Sequence, residues 1–248
     1  MNQLSDRLNR LSPSATLAMS QKSSELKAQG VDVINLSVGE PDFNTPDHIK
    51  AAAVKAVEEN YSRYSPVPGY PALREAISAK LKNENGLDYA PAQILCSNGA
   101  KQSVCNAIMA LVNAGDEVII PAPYWVSYPQ MVKLAEGEPV IVEAGIEQDF
   151  KITPEQLEAA ITPKTRALIL CSPSNPTGSV YSKEELAGLA RILAERFLFE
   201  RKFIAISSQT RKCDMSFFIH ITPFFHPFLH FHVQIHWLTL LNFSNKSF

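Results

Sequence analysis

Ile94-Leu95-Cys96-Ser97-Asn98-Gly99-Ala100-Lys101-Gln102 is the stretch on which the fold turns. An apolar triplet runs into a small polar turn with a glycine, and an apolar helical stretch then continues to about Val112. Strand, turn and helix follow one another with no spare residues. Working outward, Val118-Ile119-Ile120, Val140-Ile141-Val142 and Ala167-Leu168-Ile169-Leu170 are apolar runs without alternation, which suits strands buried on both faces of a sheet. Helices are expected between and around them. Thr45-Pro46 offers a capping hydroxyl and a proline at the first helical position, with Ile49, Ala53, Ala56 and Val57 marking an apolar face. A helix after Pro71 carries Leu73, Ile77 and Leu81 on one side and stops at Gly86. Thr153-Pro154 opens another, and Ser182 with Glu185 forms a capping box for a helix to about Arg196. This alternation predicts an α/β fold, a mostly parallel sheet flanked by helices. No internal repeat is visible.

The 248 residues are 46% hydrophobic and 19% charged, as in an ordinary globular chain. A net charge of -2 gives no electrostatic reason to expect nucleic acid or an anionic membrane as partner. Cys96, Cys105, Cys171 and Cys213 make no C-x-x-C pair and no zinc spacing, so no metal is expected and reduced thiols are the simplest reading. Met1-Asn2-Gln3-Leu4-Ser5-Asp6-Arg7 has an early acid and no apolar run, unlike a secretory signal.

A break in composition falls near residue 197. Residues 1–196 hold all ten glycines, two of the thirteen phenylalanines and one of the six histidines; residues 197–248 hold the other eleven and five. Runs such as Phe217-Phe218-Ile219-His220 and His230-Phe231-His232 show neither helical nor strand periodicity with sensible stops. The expectation is an aberrant tail, from a shifted reading frame or read-through, that leaves a sheet edge exposed. Two other readings of it are weaker. Its histidines are interleaved with phenylalanine and proline and offer no ligand geometry. Residues 217–243 have no formally charged side chain, yet five histidines, Pro223 and Pro227 make a poor membrane span.

In an open α/β sheet, ligands bind at the carboxyl ends of the strands. The turn at 97–102 suits an anion: a glycine permits close backbone approach, helix N–H groups point outward, and Lys101 adds charge. A plain connecting turn competes with that reading. Pro121-Ala122-Pro123-Tyr124-Trp125 offers an indole that could stack on a flat ring or equally fill the core. Ser172-Pro173-Ser174-Asn175-Pro176-Thr177-Gly178 is a rigid loop that could present the Asn175 amide or merely turn. Asn35-Leu36-Ser37-Val38-Gly39-Glu40-Pro41-Asp42 has the same character.

Taken in order, these loops resemble the class I aminotransferases of the aspartate aminotransferase family, fold-type I pyridoxal-phosphate enzymes. The resemblance rests on N-L-S-V-G-E-P-D-F at 35–43, Tyr64 with P-x-P-G-Y-P-A-L-R-E-A at 66–76, and S-N-G-A-K-Q at 97–102. P-A-P-Y-W at 121–125 and S-P-S-N-P-T-G at 172–178 complete it. It covers residues 1–196 and looks closest to the bacterial branch containing aspartate and prephenate aminotransferases.

The resemblance implies a cofactor, pyridoxal 5'-phosphate, and a role for each matching residue. Gly39 would face the substrate carboxylate; Gly99, Ala100 and Lys101 would cradle the cofactor phosphate; Trp125 would stack on its ring; Asn175 would bond its phenolic oxygen. Trp125 and Asn175 would therefore also border the substrate. Tyr64 would reach the phosphate in a partner subunit, implying a homodimer. It implies a cytoplasmic enzyme that moves an amino group between an amino acid and a 2-oxo acid, aspartate with 2-oxoglutarate leading. It also implies domains: an arm and part of a small domain at 1–45, and an incomplete cofactor-binding domain at 46–196, before the tail at 197–248.

The family's second half should supply an aspartate for the pyridinium nitrogen, a tyrosine, a Ser-Lys with the Schiff-base lysine and an arginine for the substrate carboxylate. None is recognisable here. Lys183 follows Ser182 but opens a helix, and Lys101 belongs to the phosphate turn. No catalytic residue is therefore assigned, and the chain as written is expected to be inactive. The alternatives are a lyase or decarboxylase relative, and a non-catalytic fragment or defective subunit.

Overall fold

The computed structural model describes residues 4–36, 39 and 42–196, together with the backbone of three later strands. In chain order the elements are α1 (Asp6–Asn9), α2 (Ala15–Ala28), α3 (Asp47–Glu58), α4 (Pro71–Asn85), β1 (Ile94–Cys96), α5 (Ala100–Leu111) and β2 (Glu117–Ala122). Then follow α6 (Ser127–Leu134), β3 (Glu138–Glu143), α7 (Pro154–Ala160), β4 (Thr165–Ser172), α8 (Lys183–Arg196), β5 (Phe203–Ser208), β6 (Ser216–Thr222) and β7 (Phe231–His236). Among the described residues, 11–64 cluster as one unit, and 4–10 with 65–236 as another.

The larger unit is built on a seven-stranded sheet in the order β1-β7-β6-β5-β4-β2-β3. All neighbours are parallel except β5 with β6 and β6 with β7, so β6 alone runs against the rest. The expected fold class, mostly parallel α/β, is the observed one.

Alternate residues of β2 and β4 enter two separate cores. Val118, Ile120, Ala167 and Ile169 face Val104, Ile108 and Leu111 of α5 and Tyr128, Met131 and Val132 of α6. Ile119, Leu168 and Leu170 face Leu157 of α7 and Leu189, Ile192 and Leu193 of α8. A central strand covered on both faces needs apolar residues at consecutive positions, which is why these runs do not alternate. Each fully buried Ile or Leu contributes on the order of 1.5–3 kcal/mol. Among the described residues β3 pairs with β2 alone, and its Val140, Ile141 and Val142 are half-buried. The expectation that this run is covered on both faces is corrected by its place at the sheet edge.

The helix ends follow local chemistry. Gly86 takes the left-handed conformation that ends α4 (φ 68°). Thr153 and Gln156 make a reciprocal box at α7, and Ser182 and Glu185 do so at α8, where the Ser182 N–H donates to Glu185 at 2.6 Å. Two expectations need correction. Pro46 stands at the N-cap of α3, one residue earlier than predicted, and no side chain caps that helix. Of its predicted apolar face only Ile49 is buried, while Ala53 and Val57 are exposed.

The expectation of a patternless tail with an open sheet edge is corrected for three segments. β5 continues the sheet from β4 (Ile169 opposite Ile204, Ser172 opposite Ser207), and Phe217–His220 and Phe231–His232 lie in β6 and β7. The physical reason is that an open strand edge leaves N–H and C=O groups that extended chain can satisfy whatever its side-chain pattern. Isoleucine- and phenylalanine-rich segments also favour the extended form. The remaining tail positions, His230 among them, lie outside the described residues.

Candidate functional site

Three loops leave the carboxyl ends of β1, β2 and β4, which all point the same way through the sheet. The first is the turn before α5. Gly99 is the N-cap of α5 at φ 86°, ψ 166°, a backbone conformation essentially restricted to glycine. No side chain caps this helix, so the N–H groups of its first turn have no intrahelical partner and stay available to an anion. Gln102 folds back to accept the Asn98 N–H at 2.6 Å, fixing the turn from inside. Lys101 is exposed, and its Nζ stands 5.1 Å from the centre of the Trp125 ring. The predicted anion turn and the predicted stacking indole, 24 positions apart, therefore meet.

Trp125 is partly buried against the core cluster that also takes Ala100, Tyr124 and Cys171. Its ring meets that of Tyr128 edge-on, at 5.4 Å between centres and 90° between planes. Tyr128 follows by three positions on α6 and is almost fully buried (3% exposed). Burial, and after it the neighbouring Cys171 thiol, push the Tyr128 phenol well above its ordinary value, so it stays protonated.

The loop after β4 carries Asn175, which is exposed. It lines a small cleft whose walls also include Pro123, Tyr124, Tyr128, Cys171, Ser174 and Tyr181. Asn175 and the loop bearing Trp125 thus share one cleft over the ends of β2 and β4. Behind it, the Tyr181 hydroxyl accepts the Ile152 N–H at 2.8 Å, and burial raises its pKa. Lys183 is the first residue of α8, as the sequence implied.

Tyr64 and Gly39 belong to the other unit, and both are exposed there. Ser37, Val38, Glu40 and Pro41 of the same motif lie outside the described residues. Sequence reasoning missed Tyr128, Cys171 and Tyr181. The signal for Tyr128 was its nearness to Trp125, since the turn that opens α6 bonds the Tyr128 N–H to the Trp125 carbonyl at 3.0 Å. Among the described residues no group of three or more His, Cys, Asp or Glu could hold a metal ion, and no helix is long and apolar enough to cross a membrane.

Residues 31–199 match the family model described as aminotransferase class I and II. An aspartate/prephenate aminotransferase of Cereibacter sphaeroides is 57% identical over 190 residues, 77% of this chain and 48% of that protein. The aspartate aminotransferase of Geobacillus stearothermophilus is 56% identical over 190 residues, 76% of this chain and 48% of that one. Among solved structures, an aspartate aminotransferase from Thermus thermophilus with maleate superimposes with a TM-score of 0.79 at 45% identity, over 84% of this chain and 54% of that chain. The chain spans about half the length of the curated relatives it matches. With a family match over residues 31–199 and the fold-type I arrangement of its sheet, this chain belongs to the class I and II aminotransferases.

Proposed function

We propose that these 248 residues carry the phosphate and ring-stacking half of a pyridoxal 5'-phosphate site and do not transaminate by themselves. The observation that carries the first part is the meeting of Lys101 with Trp125 beside an uncapped helix N-terminus that starts at Gly99. An anion beside a flat ring fits that arrangement: backbone N–H groups of Ala100 and Lys101 and the Lys101 ammonium for the phosphate, the Trp125 face for the ring. Asn175, on the same side of the sheet, would donate its amide to the phenolic oxygen. The cofactor, when bound, supplies the electron sink for amino-group transfer. The chain's residues hold it, orient its ring and screen one face from water.

The second part of the reading rests on the family match ending at residue 199. On this reading the cofactor-holding lysine, the aspartate for the ring nitrogen and the arginine for the substrate carboxylate would have to come from sequence beyond that match, and no motif for them is recognisable in residues 200–248. Without them, proton transfer has no base and the substrate no anchor. Amino-group exchange between aspartate and 2-oxoglutarate, in a cytoplasmic homodimer in which Tyr64 reaches the partner's phosphate and Gly39 faces the substrate carboxylate, belongs to a chain with both halves. Names of relatives such as the Cereibacter sphaeroides enzyme support that choice of amino acid. A shifted reading frame near residue 197 is the accompanying proposal for the tail, supported by the same end of the match.

The test is a titration of the chain with pyridoxal 5'-phosphate, followed by quenching of tryptophan fluorescence, with inorganic phosphate as competitor. Saturable quenching that phosphate relieves is expected. Quenching that is unsaturable, or indifferent to phosphate, would defeat the site.

A further inference from the structure

Two loops of the proposed site come from different strands, and one buried side chain lines the cleft between them. Tyr128 sets its ring edge-on against Trp125 at 5.4 Å, on the loop after β2. Tyr128 and Cys171 pack in the same core cluster and line the same cleft. Cys171 is the penultimate residue of β4, and its Sγ–H donates to the Pro173 carbonyl at 3.3 Å, inside the loop that ends in Asn175-Pro176-Thr177-Gly178. Trp125, Tyr128, Cys171 and Pro173 therefore form a run of neighbours from the indole loop to the asparagine loop, with Tyr128 and Cys171 in the wall of the cleft.

We propose that Tyr128 is a positioning residue whose ring fixes Trp125 and whose hydroxyl, through Cys171, fixes the loop bearing Asn175. The proposal rests on the cofactor reading above for its purpose, though not for its geometry. The physical case has three parts. Tyr128 is 3% exposed, so its ring cannot shift without opening the core that holds Val104, Ile108 and Ile120. A buried phenol must find a hydrogen-bond partner, and the Cys171 thiol, beside it in the cluster and the cleft wall, offers one. An edge-to-face pair of aromatic rings has a preferred angle, so the Tyr128 ring limits the tilt of the indole. One buried side chain thus sets two contacts of a planar ligand together: the face it stacks on and the amide at its edge.

The two halves of the role separate by substitution. Tyr128→Phe keeps the ring against Trp125 and removes the link to Cys171. Cys171→Ala removes the same link from the other side, and Cys171→Ser keeps a short polar group there. The full-length chain is used, with Trp237→Phe so that Trp125 alone reports. The readout is pyridoxal 5'-phosphate affinity from fluorescence quenching, beside peptide-mapped alkylation of Cys171 in cofactor-free protein.

Tyr128→Phe and Cys171→Ala should each weaken the cofactor about three- to tenfold, the range carried by one hydrogen bond. The double variant should be no weaker than the weaker single one, because both remove one link. Cys171→Ser should bind like the unsubstituted chain. Without cofactor, Tyr128→Phe should raise alkylation of Cys171 at least about threefold and leave Cys105, which packs on the same core, unchanged. Additive effects in the double variant overturn the proposal, and so does an equal rise at Cys105, since Tyr128 would then only hold the core together. If the unsubstituted chain shows no phosphate-relieved quenching, the cofactor reading fails and the alkylation arm alone decides whether the strut exists.

Discussion

Replacing Gly99 with alanine puts a Cβ on a residue at φ 86°, ψ 166°, where only glycine rests without strain. Two outcomes are open to the variant, and both are measurable. If the turn keeps its shape, the backbone strain costs about 1–3 kcal/mol of folding stability. With a urea slope of about 2–3 kcal/mol per molar for a chain of this size, the midpoint drops by roughly 0.3–1.5 M. If the turn instead rotates to relieve the strain, the first-turn N–H groups of α5 no longer converge on one point and the anion site is lost. Affinity for pyridoxal 5'-phosphate then falls about tenfold for every 1.4 kcal/mol of lost interaction. Urea unfolding followed by circular dichroism gives the first quantity, and fluorescence titration with the cofactor gives the second. The two losses trade against each other, and their sum is what the geometry fixes. A Gly99→Ala chain with unchanged midpoint and unchanged affinity would refute the claim that this glycine is held in a strained turn for a ligand.

Lys101→Met should weaken cofactor binding about three- to tenfold and flatten its dependence on salt, read by the same titration at two ionic strengths, because a charge on the anion site is removed. Tyr181→Phe removes the acceptor of the buried Ile152 N–H and should destabilise by about 1–3 kcal/mol in urea unfolding. The Lys151–Glu185 pair at 2.8 Å holds the Glu185 carboxyl below the ordinary carboxylate value and the Lys151 ammonium above its own. The contribution of Glu185 is therefore whole above its unfolded pKa of about 4.3 and fades as acid passes below that value. That of Lys151 is whole below about 10.4 and fades at higher pH. Lys151→Met should blunt the acid-side loss of melting temperature. Translation of the coding DNA beyond codon 197 in the other frames should restore an aspartate, a Ser-Lys and an arginine in family order; no such frame would remove the shifted-frame account.

What the sequence made legible follows from how local each signal is. Gly86, Thr153-Pro154, and Ser182 with Glu185 act through their own turns, and the structure has helix ends at those places. The unalternating runs in β2 and β4 named central strands because both faces are covered. Where a partner decides, the sequence was silent or misleading. In residues 11–64 Ile49 is the one buried hydrophobic among those described, so the periodic face of α3 did not state what it packs on. β3 reads like a central strand and lies at an edge. β5 to β7 join through neighbours' open backbone, which no side-chain pattern announces. In the site, the Gly99 turn was readable as an anion cup alone. That Lys101 meets Trp125, and that Tyr128 and Cys171 share one cluster and one cleft, are long-range facts of the sheet that spacing along the chain does not contain.

The measurement closest to the central claim is amino-group transfer by the purified 248-residue chain, saturated with pyridoxal 5'-phosphate and given aspartate and 2-oxoglutarate. Borohydride reduction and peptide mapping of the same sample show where any cofactor is covalently fixed. The account predicts reversible, phosphate-competed binding with turnover no faster than free cofactor, and no single lysine carrying the label. Turnover well above free cofactor, with the label on one lysine, would contradict it.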